Sequence, residues 1–129
     1  MMEPTVLFEV AFQGCAVSVG HATDAELARL AGTVAAADAR GQLDAWSLIA
    51  LRDVAGGGNE IHALGWRTGL LNTWITSPLI IVDRAANLVN TTSGHAYSLG
   101  RPDSRELHPA LRGHLAYALR TWGYDNVQE

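Results

Sequence analysis

Lysine is missing altogether from this 129-residue chain, so all nine basic side chains are arginine. Its absence removes the phosphate-loop pattern G-x-x-x-x-G-K-[ST], and the run Gly56-Gly57-Gly58-Asn59 reads instead as a loop and a candidate hinge. Arginine in place of lysine, beside abundant Ala and Gly, reads as the coding bias of a GC-rich bacterial or phage genome and not as a functional signal. Cysteine is nearly as scarce. The single thiol, Cys15, excludes an intramolecular disulfide and a C-x-x-C pair, argues against a structural zinc site, and fits a reducing compartment. Long apolar runs are lacking: Leu79-Ile80-Ile81-Val82 is far too short to span a bilayer, and Met1-Met2-Glu3-Pro4 lacks the basic start of a signal peptide. These absences lead to the expectation of a cytoplasmic protein with no membrane partner. Positive net charge is lacking too, and the formal charge of −4 disfavours non-specific attraction to nucleic acid, leaving it an unlikely direct partner.

What is present is an ordinary folding composition, 48% hydrophobic and 17% charged, over a length that suits one domain. A domain of this size buries roughly two-thirds of the surface its unfolded chain exposes, so it needs no metal or disulfide staple. The charge is uneven. Residues 1–60 hold eight acids against three arginines and residues 61–129 hold five against six, which makes the first half −5 and the second +1.

Along the chain, Val6, Phe8, Val10 and Phe12 alternate with Leu7, Glu9 and Ala11, the period of a strand, and residues 15–19 return as a second strand after Gln13-Gly14. Thr23 followed by Asp24-Ala25-Glu26 has the form of a capping box, and Leu27, Leu30, Ala31 and Val34 recur at helical spacing, with Gly41 as a stop. A helix is therefore expected over 24–40, with Gly32 inside it as a mark of close packing. Residues 43–54 are ambiguous: Leu48, Leu51 and Val54 suit a helix, whereas Trp46, Leu48 and Ala50 suit a strand. Length and Ala content favour the helix.

Residues 60–66 and 72–82 read as strands, with Pro78 at an edge or bulge. Residues 88–92 and 95–99 read as a hairpin about Ser93-Gly94. A last helix starts near Pro109, a favoured first helical residue. Its inward stripe is Leu111, Leu115, Ala118, Leu119 and Trp122, and Gly123 ends it. The expected class is α+β: a mostly antiparallel sheet, made of the N-terminal hairpin and a 60–99 meander, covered by two or three helices.

The segment Trp74-Ile75-Thr76-Ser77-Pro78, followed by Asp83 and by Thr91-Thr92-Ser93-Gly94-His95-Ala96-Tyr97-Ser98-Leu99-Gly100, resembles a β-segment of small uncharacterised proteins from phages and bacterial mobile elements. The shared pattern is W-x-T-S-P followed by T-x-S-G-x-x-Y-x-L-G, over residues 74–100. The resemblance implies a β-meander and carries no catalytic residues with it. It directs the partner towards a host complex, such as a defence nuclease, which an anti-CRISPR-like inhibitor would bind.

Candidate chemistry is sparse. Glu60 and His62 share a strand face and could relay a proton or ligate a metal, against the simpler reading of a polar face in water. His108 and His114 lack the i, i+4 spacing of a helical metal pair. Ser93-Gly94-His95 offers a hydroxyl and an imidazole, but Ser-Gly is ordinary turn chemistry, and no G-x-S-x-G elbow exists. Cys15 with His21 is a conceivable thiol pair, though an apolar strand makes Cys15 a packing residue. No cofactor pattern is found. Arg101, Arg105, Arg112 and Arg120 could touch phosphates, with Asp103 and Glu106 among them. Trp46, Trp66, Trp74 and Trp122 are core or interface residues.

The expected function is a non-enzymatic binding protein acting on a macromolecular partner, with homo-oligomerisation left open. Its contact residues are expected among Asp24, Glu26 and Asp38, rimming the first helix, and Trp66, Trp74, Arg105 and Arg112. The alternatives are a small enzyme using a His/carboxylate pair from Glu60, His62, Asp83 and His95, and a DNA-binding regulator using the C-terminal helix.

Overall fold

A computed structural model describes residues 18–54, 58–69, 72–103 and 107–123. The strands are β1 (Ser18–His21), β2 (Ala39–Val54), β3 (Gly58–Arg67), β4 (Asn72–Ile75), β5 (Leu79–Asp83), β6 (Leu88–Thr91) and β7 (Ala96–Leu99). The helices are α1 (Asp24–Ala28) and α2 (Pro109–Thr121), with a 3-10 turn at Ala36–Asp38. The strands form one seven-stranded sheet in the order β4-β3-β2-β7-β6-β5, with β1 also paired to β2. Every pairing is antiparallel except β2 with β7. The class is α+β, as the sequence pattern leads one to expect.

The 16-residue β2 is the spine of the fold. One of its edges carries β3. The other carries β7 beside Ala39–Leu43 and β1 beside Ile49–Arg52. Between these halves lies a β-bulge. Asp44 pairs with Trp66 and the next pair is Ser47 with Leu64, so β2 has one extra residue there, and Ala45 takes φ 51°, the left-handed region. Because side chains alternate faces, the extra residue reverses the parity: Leu43 before the bulge and Leu48 and Ala50 after it share one core cluster.

Both faces of the sheet are buried. On one, Val19, Ile49, Leu51 and Leu64 pack against Leu107, Leu111, Leu115 and Leu119 of α2 and its approach. On the other, Leu43, Leu48, Ala50, Ile61 and Ala63 meet Leu79, Val82, Val89, Tyr97 and Leu99, so the sheet curls until its β5–β7 wing closes over β2 and β3. Burial on two sides explains the unbroken apolar run in β2, which resembles a helix in composition.

Several expectations need correction. The helix over 24–40 is confined to α1. The capping box is present, with Thr23 N–H donating to Glu26 Oε1 at 2.8 Å and Glu26 N–H donating to Thr23 Oγ1 at 3.1 Å. Past Ala28, however, the chain leaves the helix. Gly32, Thr33 and Val34 are poor helix formers, and the sheet offers better partners: Val82 N–H donates to the Leu30 carbonyl at 2.8 Å and Val34 N–H to Asp83 Oδ2 at 3.0 Å. A Cβ on Gly32 would sit 2.8 Å from Ile81 Cγ2, the close packing expected of it. Gly41 lies within β2 instead of ending a helix. Residues 43–54 are strand, not helix.

Residues 72–82 are two strands in different parts of the sheet, divided at Thr76-Ser77-Pro78. The hairpin about Ser93-Gly94 and the C-terminal helix follow the sequence reading, with Pro109 at the helix start and Gly123 leaving it at φ 84°. Trp122, expected in the buried stripe, is 37% exposed at the C-cap. In the N-terminal hairpin, the arm over 5–12 and Cys15 lie outside the described residues, as do Gly56-Gly57 of the candidate hinge. Ser18–His21 is a strand, and it pairs with β2.

Candidate functional site

The bulge in β2 does more than change parity, because the chain after β7 is laid against it. Trp46 N–H donates to the Arg101 carbonyl at 3.3 Å, Asp103 N–H donates to the Trp46 carbonyl at 2.9 Å, and the Trp46 indole N–H donates to the Gly100 carbonyl at 2.9 Å. Behind the bulge, the Asp44 carboxylate accepts from Thr68 Oγ1 at 2.6 Å and from Arg101 N–H at 3.0 Å. These bonds, the Thr68 hydroxyl foremost, hold the Asp44 carboxyl below the usual carboxylate range.

A cleft of about 620 Å³ opens at this junction. Leu27, Trp46, Leu48, Val82 and Leu99 give it an apolar floor, and His21, Asp24, Ser47, Arg84 and Asp103 supply its polar groups. A concave apolar surface with few convergent polar groups is the usual form of a binding site. The Ser47 hydroxyl donates to Asp103 Oδ2 at 3.3 Å. Burial lowers the pKa of His21, and the Asp103 charge opposes that shift without cancelling it, so the imidazole is mainly neutral at neutral pH. Asp24, at the N-terminus of α1, has 91% of its side chain exposed and stands 3.4 Å from Arg84.

A second, smaller cavity contains Glu60, His62, Thr76, Ser77 and Trp122. The His62 ring is buried and stacked on Trp122, with centroids 4.6 Å apart. Its Nδ1 lies 2.7 Å from the Thr76 carbonyl and its Nε2 lies 3.2 Å from Glu60 Oε1. A carbonyl can only accept, so Nδ1 carries a proton, and Nε2 is engaged by the carboxylate. Both ring nitrogens therefore already have protein partners.

The other two members of the enzyme constellation lie elsewhere. Asp83 is buried, with Oδ2 accepting from Val34 N–H and Oδ1 from Ala86 N–H at 3.1 Å, which pins the 30–34 segment to β5. His95 Nε2 accepts from Arg40 Nη1 at 2.8 Å, since a guanidinium cannot accept. Its proton is therefore on Nδ1, which faces Ser93 Oγ at 3.4 Å. That tautomer donates to the serine and cannot take its proton, the reverse of what an activated nucleophile needs. No hydrogen bond joins Glu60 or His62 to Asp83 or His95 among the described residues, and no group of three or more metal-ligating side chains occurs there.

The expected contact residues are scattered. Asp24 rims the cleft. Glu26 does not rim anything: its carboxylate is clasped by Arg52 at 2.8 and 3.0 Å and by Asn59 at 3.2 Å, and its side chain is 14% exposed. Asp38 is exposed, but in the 3-10 turn beyond the helix, so the three acids do not line one helix. Trp66 packs on the α2 side of the sheet with its ring edge-on to His108 at 5.4 Å. Trp74 is covered by the Arg67 guanidinium, 4.5 Å above its ring. Arg112 is exposed on α2, and Arg105 lies outside the described residues. Sequence reasoning missed Ser47, Arg84 and Asp103 as parts of one site, because only the bulge and the β5–β6 turn bring them together. No family model matches the chain, and neither does any curated protein or solved structure.

Proposed function

We propose that this is a non-enzymatic binding protein that engages a protein partner stoichiometrically, with a basic side chain of that partner entering the cleft at the β2 bulge. The observation that carries this reading is the cleft's combination of an apolar floor with two carboxylates, Asp24 and Asp103, which outnumber its single cation, Arg84, beside a mainly neutral His21. An arginine or lysine has the matching form, an apolar stem and a charged tip. The exposed Asp24 would also steer a basic surface from a distance. The commitment of Asp83, His62 and His95 to internal hydrogen bonds supports binding over catalysis. The resemblance of residues 74–100 to phage and mobile-element proteins favours a cytoplasmic host defence complex as the partner, inhibited in an anti-CRISPR-like manner.

The test is a comparison of wild type with Asp24→Arg, a change at a largely exposed side chain. Each is immobilised in a bacterial host lysate, and the retained partner is identified, purified, titrated back by calorimetry for the stoichiometry and mixed by stopped flow for the association rate. The reading expects a complex of fixed stoichiometry whose association slows with added salt and slows by about tenfold or more in the variant, that is, by at least ~1.4 kcal/mol in the association barrier. A partner that binds both proteins at the same rate at low salt would refute the assignment of this cleft.

A further inference from the structure

The cleft at the β2 bulge already holds a basic side chain of its own. Arg84, in the turn between β5 and β6, lines the cleft together with Asp24, Trp46 and Asp103. Its Nη1 donates to Asp24 Oδ1 at 3.4 Å, although the two residues stand 60 apart in sequence. Asp24 is its one carboxylate partner among the described residues. The second carboxylate, Asp103, is oriented separately, with Oδ2 accepting from the Ser47 hydroxyl at 3.3 Å. Arg84 therefore has the form argued above for the guest: an apolar stem along the cleft wall and a cationic tip on one of its carboxylates.

The backbone on both sides of this contact is fixed. Asp83 Oδ1 accepts from Ala86 N–H at 3.1 Å and the Asn87 carbonyl accepts from Leu99 N–H at 2.8 Å, which holds the turn that carries Arg84. The capping box of Thr23 and Glu26 holds the start of α1, which carries Asp24. The tips are another matter, since the Arg84 side chain is 62% exposed and that of Asp24 91%. At 3.4 Å and in water such a pair is weak, so rotation of the Arg84 side chain alone can part it. Two cations at one carboxylate repel each other, so a guest that reaches Asp24 is best accommodated with Arg84 turned aside.

We propose that Arg84 is an internal stand-in for the guest: it occupies Asp24 in the free protein and yields that carboxylate when a basic side chain enters the cleft. The inference rests on the reading of the cleft as a site for such a side chain, and it adds a threshold to it. A tethered competitor turns away cations that offer charge alone. A partner that also covers the apolar floor outcompetes it.

The experiment is an NMR titration of the full chain with Nα-acetyl-arginine amide at low salt, followed at the Trp46 indole N–H and at Arg84 Nε. Wild type should show saturable shifts at both. Arg84 Nε should move towards the position it has in unliganded Asp24→Asn, where its partner charge is gone. Arg84→Met keeps an apolar stem and removes the charge. It should bind the probe about twofold to fivefold more tightly, the scale of one exposed ion pair. In the Asp24→Asn background the same Arg84→Met change should lose most of that gain, because the carboxylate it would free is absent. If wild type binds the probe and Arg84→Met binds it no more tightly, the stand-in is overturned and the cleft assignment stands. A gain that persists in full with Asp24→Asn also overturns it, since Arg84 would then act only by long-range repulsion. If neither wild type nor Arg84→Met gives a saturable shift at Trp46, the reading of the cleft itself fails and this inference falls with it.

Discussion

Replacing Glu26 by Gln should destabilise the protein at neutral pH and have progressively less effect in acid. The Glu26 carboxylate holds three parts of the chain together. It accepts two bonds from Arg52 on β2, one from Asn59 on β3, and one from Thr23 at the start of α1. The Arg52 hydrogen bond is the main reason the Glu26 pKa falls from 4.5 to about 2, with the Thr23 bonds adding to it and burial opposing it. A carboxyl whose pKa is depressed on folding contributes stability that is fully present above its unfolded value and lost as pH falls through its folded value. For Glu26 that window runs from 4.5 down to about 2.

At about 1.4 kcal/mol per unit the full shift would correspond to a ceiling of about 3 kcal/mol. The Arg52 side chain retains 24% exposure, so solvent screens the pair, and about 1–2 kcal/mol is the expected loss in Glu26→Gln. Urea unfolding followed by tryptophan fluorescence at a series of pH values measures it. Wild type and variant should differ by that amount near neutrality, and the difference should shrink below about pH 4.5 and vanish only as the pH falls to about 2. A difference that stays constant across the acid range would refute the ion-pair account, leaving only a local packing effect.

Two further outcomes test the core and the bulge. Leu115→Ala on the inner face of α2, where the side chain is fully buried, should cost about 2–5 kcal/mol. Tyr117→Ala, at 66% exposure on the same helix, should stay within about 0.5 kcal/mol; equal losses in denaturant titrations would contradict the placement of the helix. Gly65→Ala would place a Cβ 2.9 Å from the Asp44 carbonyl oxygen and 3.2 Å from Trp46 Cα. Both contacts are backbone and cannot swing aside, so a loss of about 1–3 kcal/mol is expected, with faster hydrogen exchange at Trp46 N–H. A neutral Gly65→Ala would mean that β2 and β3 do not approach this closely.

How much of this was legible in the sequence depends on whether local and tertiary forces agree. In the C-terminal helix they agree. Pro109, the stripe of Leu111, Leu115, Ala118 and Leu119, and Gly123 all specify what is found. They conflict after α1. The sequence marks Leu27, Leu30, Ala31 and Val34 as inward-facing; Leu27, Leu30 and Val34 each contact a core cluster, only Leu27 from a helix, and Ala31 is exposed. Helical spacing identified three of the four side chains and the wrong backbone, because the bonds from Val82 and to Asp83 that extend the chain come from far along the sequence. Glu60 and His62 were correctly paired from their i, i+2 spacing on one strand, whereas nothing in the sequence shows that Trp122 would stack on that imidazole.

The bulge in β2 explains both the deepest misreading and the site. A strand with one extra residue breaks period-two alternation, so Leu43 and Leu48 fall on one face at a spacing that no regular strand allows. Read in one window with Ile49 and Leu51, which face the other way, the pattern has no strand period at all and defaults to a helix. The same extra residue opens β2 where β1 and β7 meet its edge, and it turns the Trp46 peptide out to pair with residues 101–103. Asp103 is carried there by that pairing, and Ser47 and His21 by the strands on either side. The irregularity is left in place despite a left-handed Ala45, a conformation that costs an L-residue about 1–2 kcal/mol. Strain of this kind persists only where the surrounding structure over-determines it, and it gathers at binding and switch regions. That the strained residue directly precedes Trp46 and Ser47 of the bulge cleft, and itself lines a neighbouring recess with Gln42, Asp44 and Arg101, is therefore an argument for the use of this region that is independent of the cleft's lining chemistry.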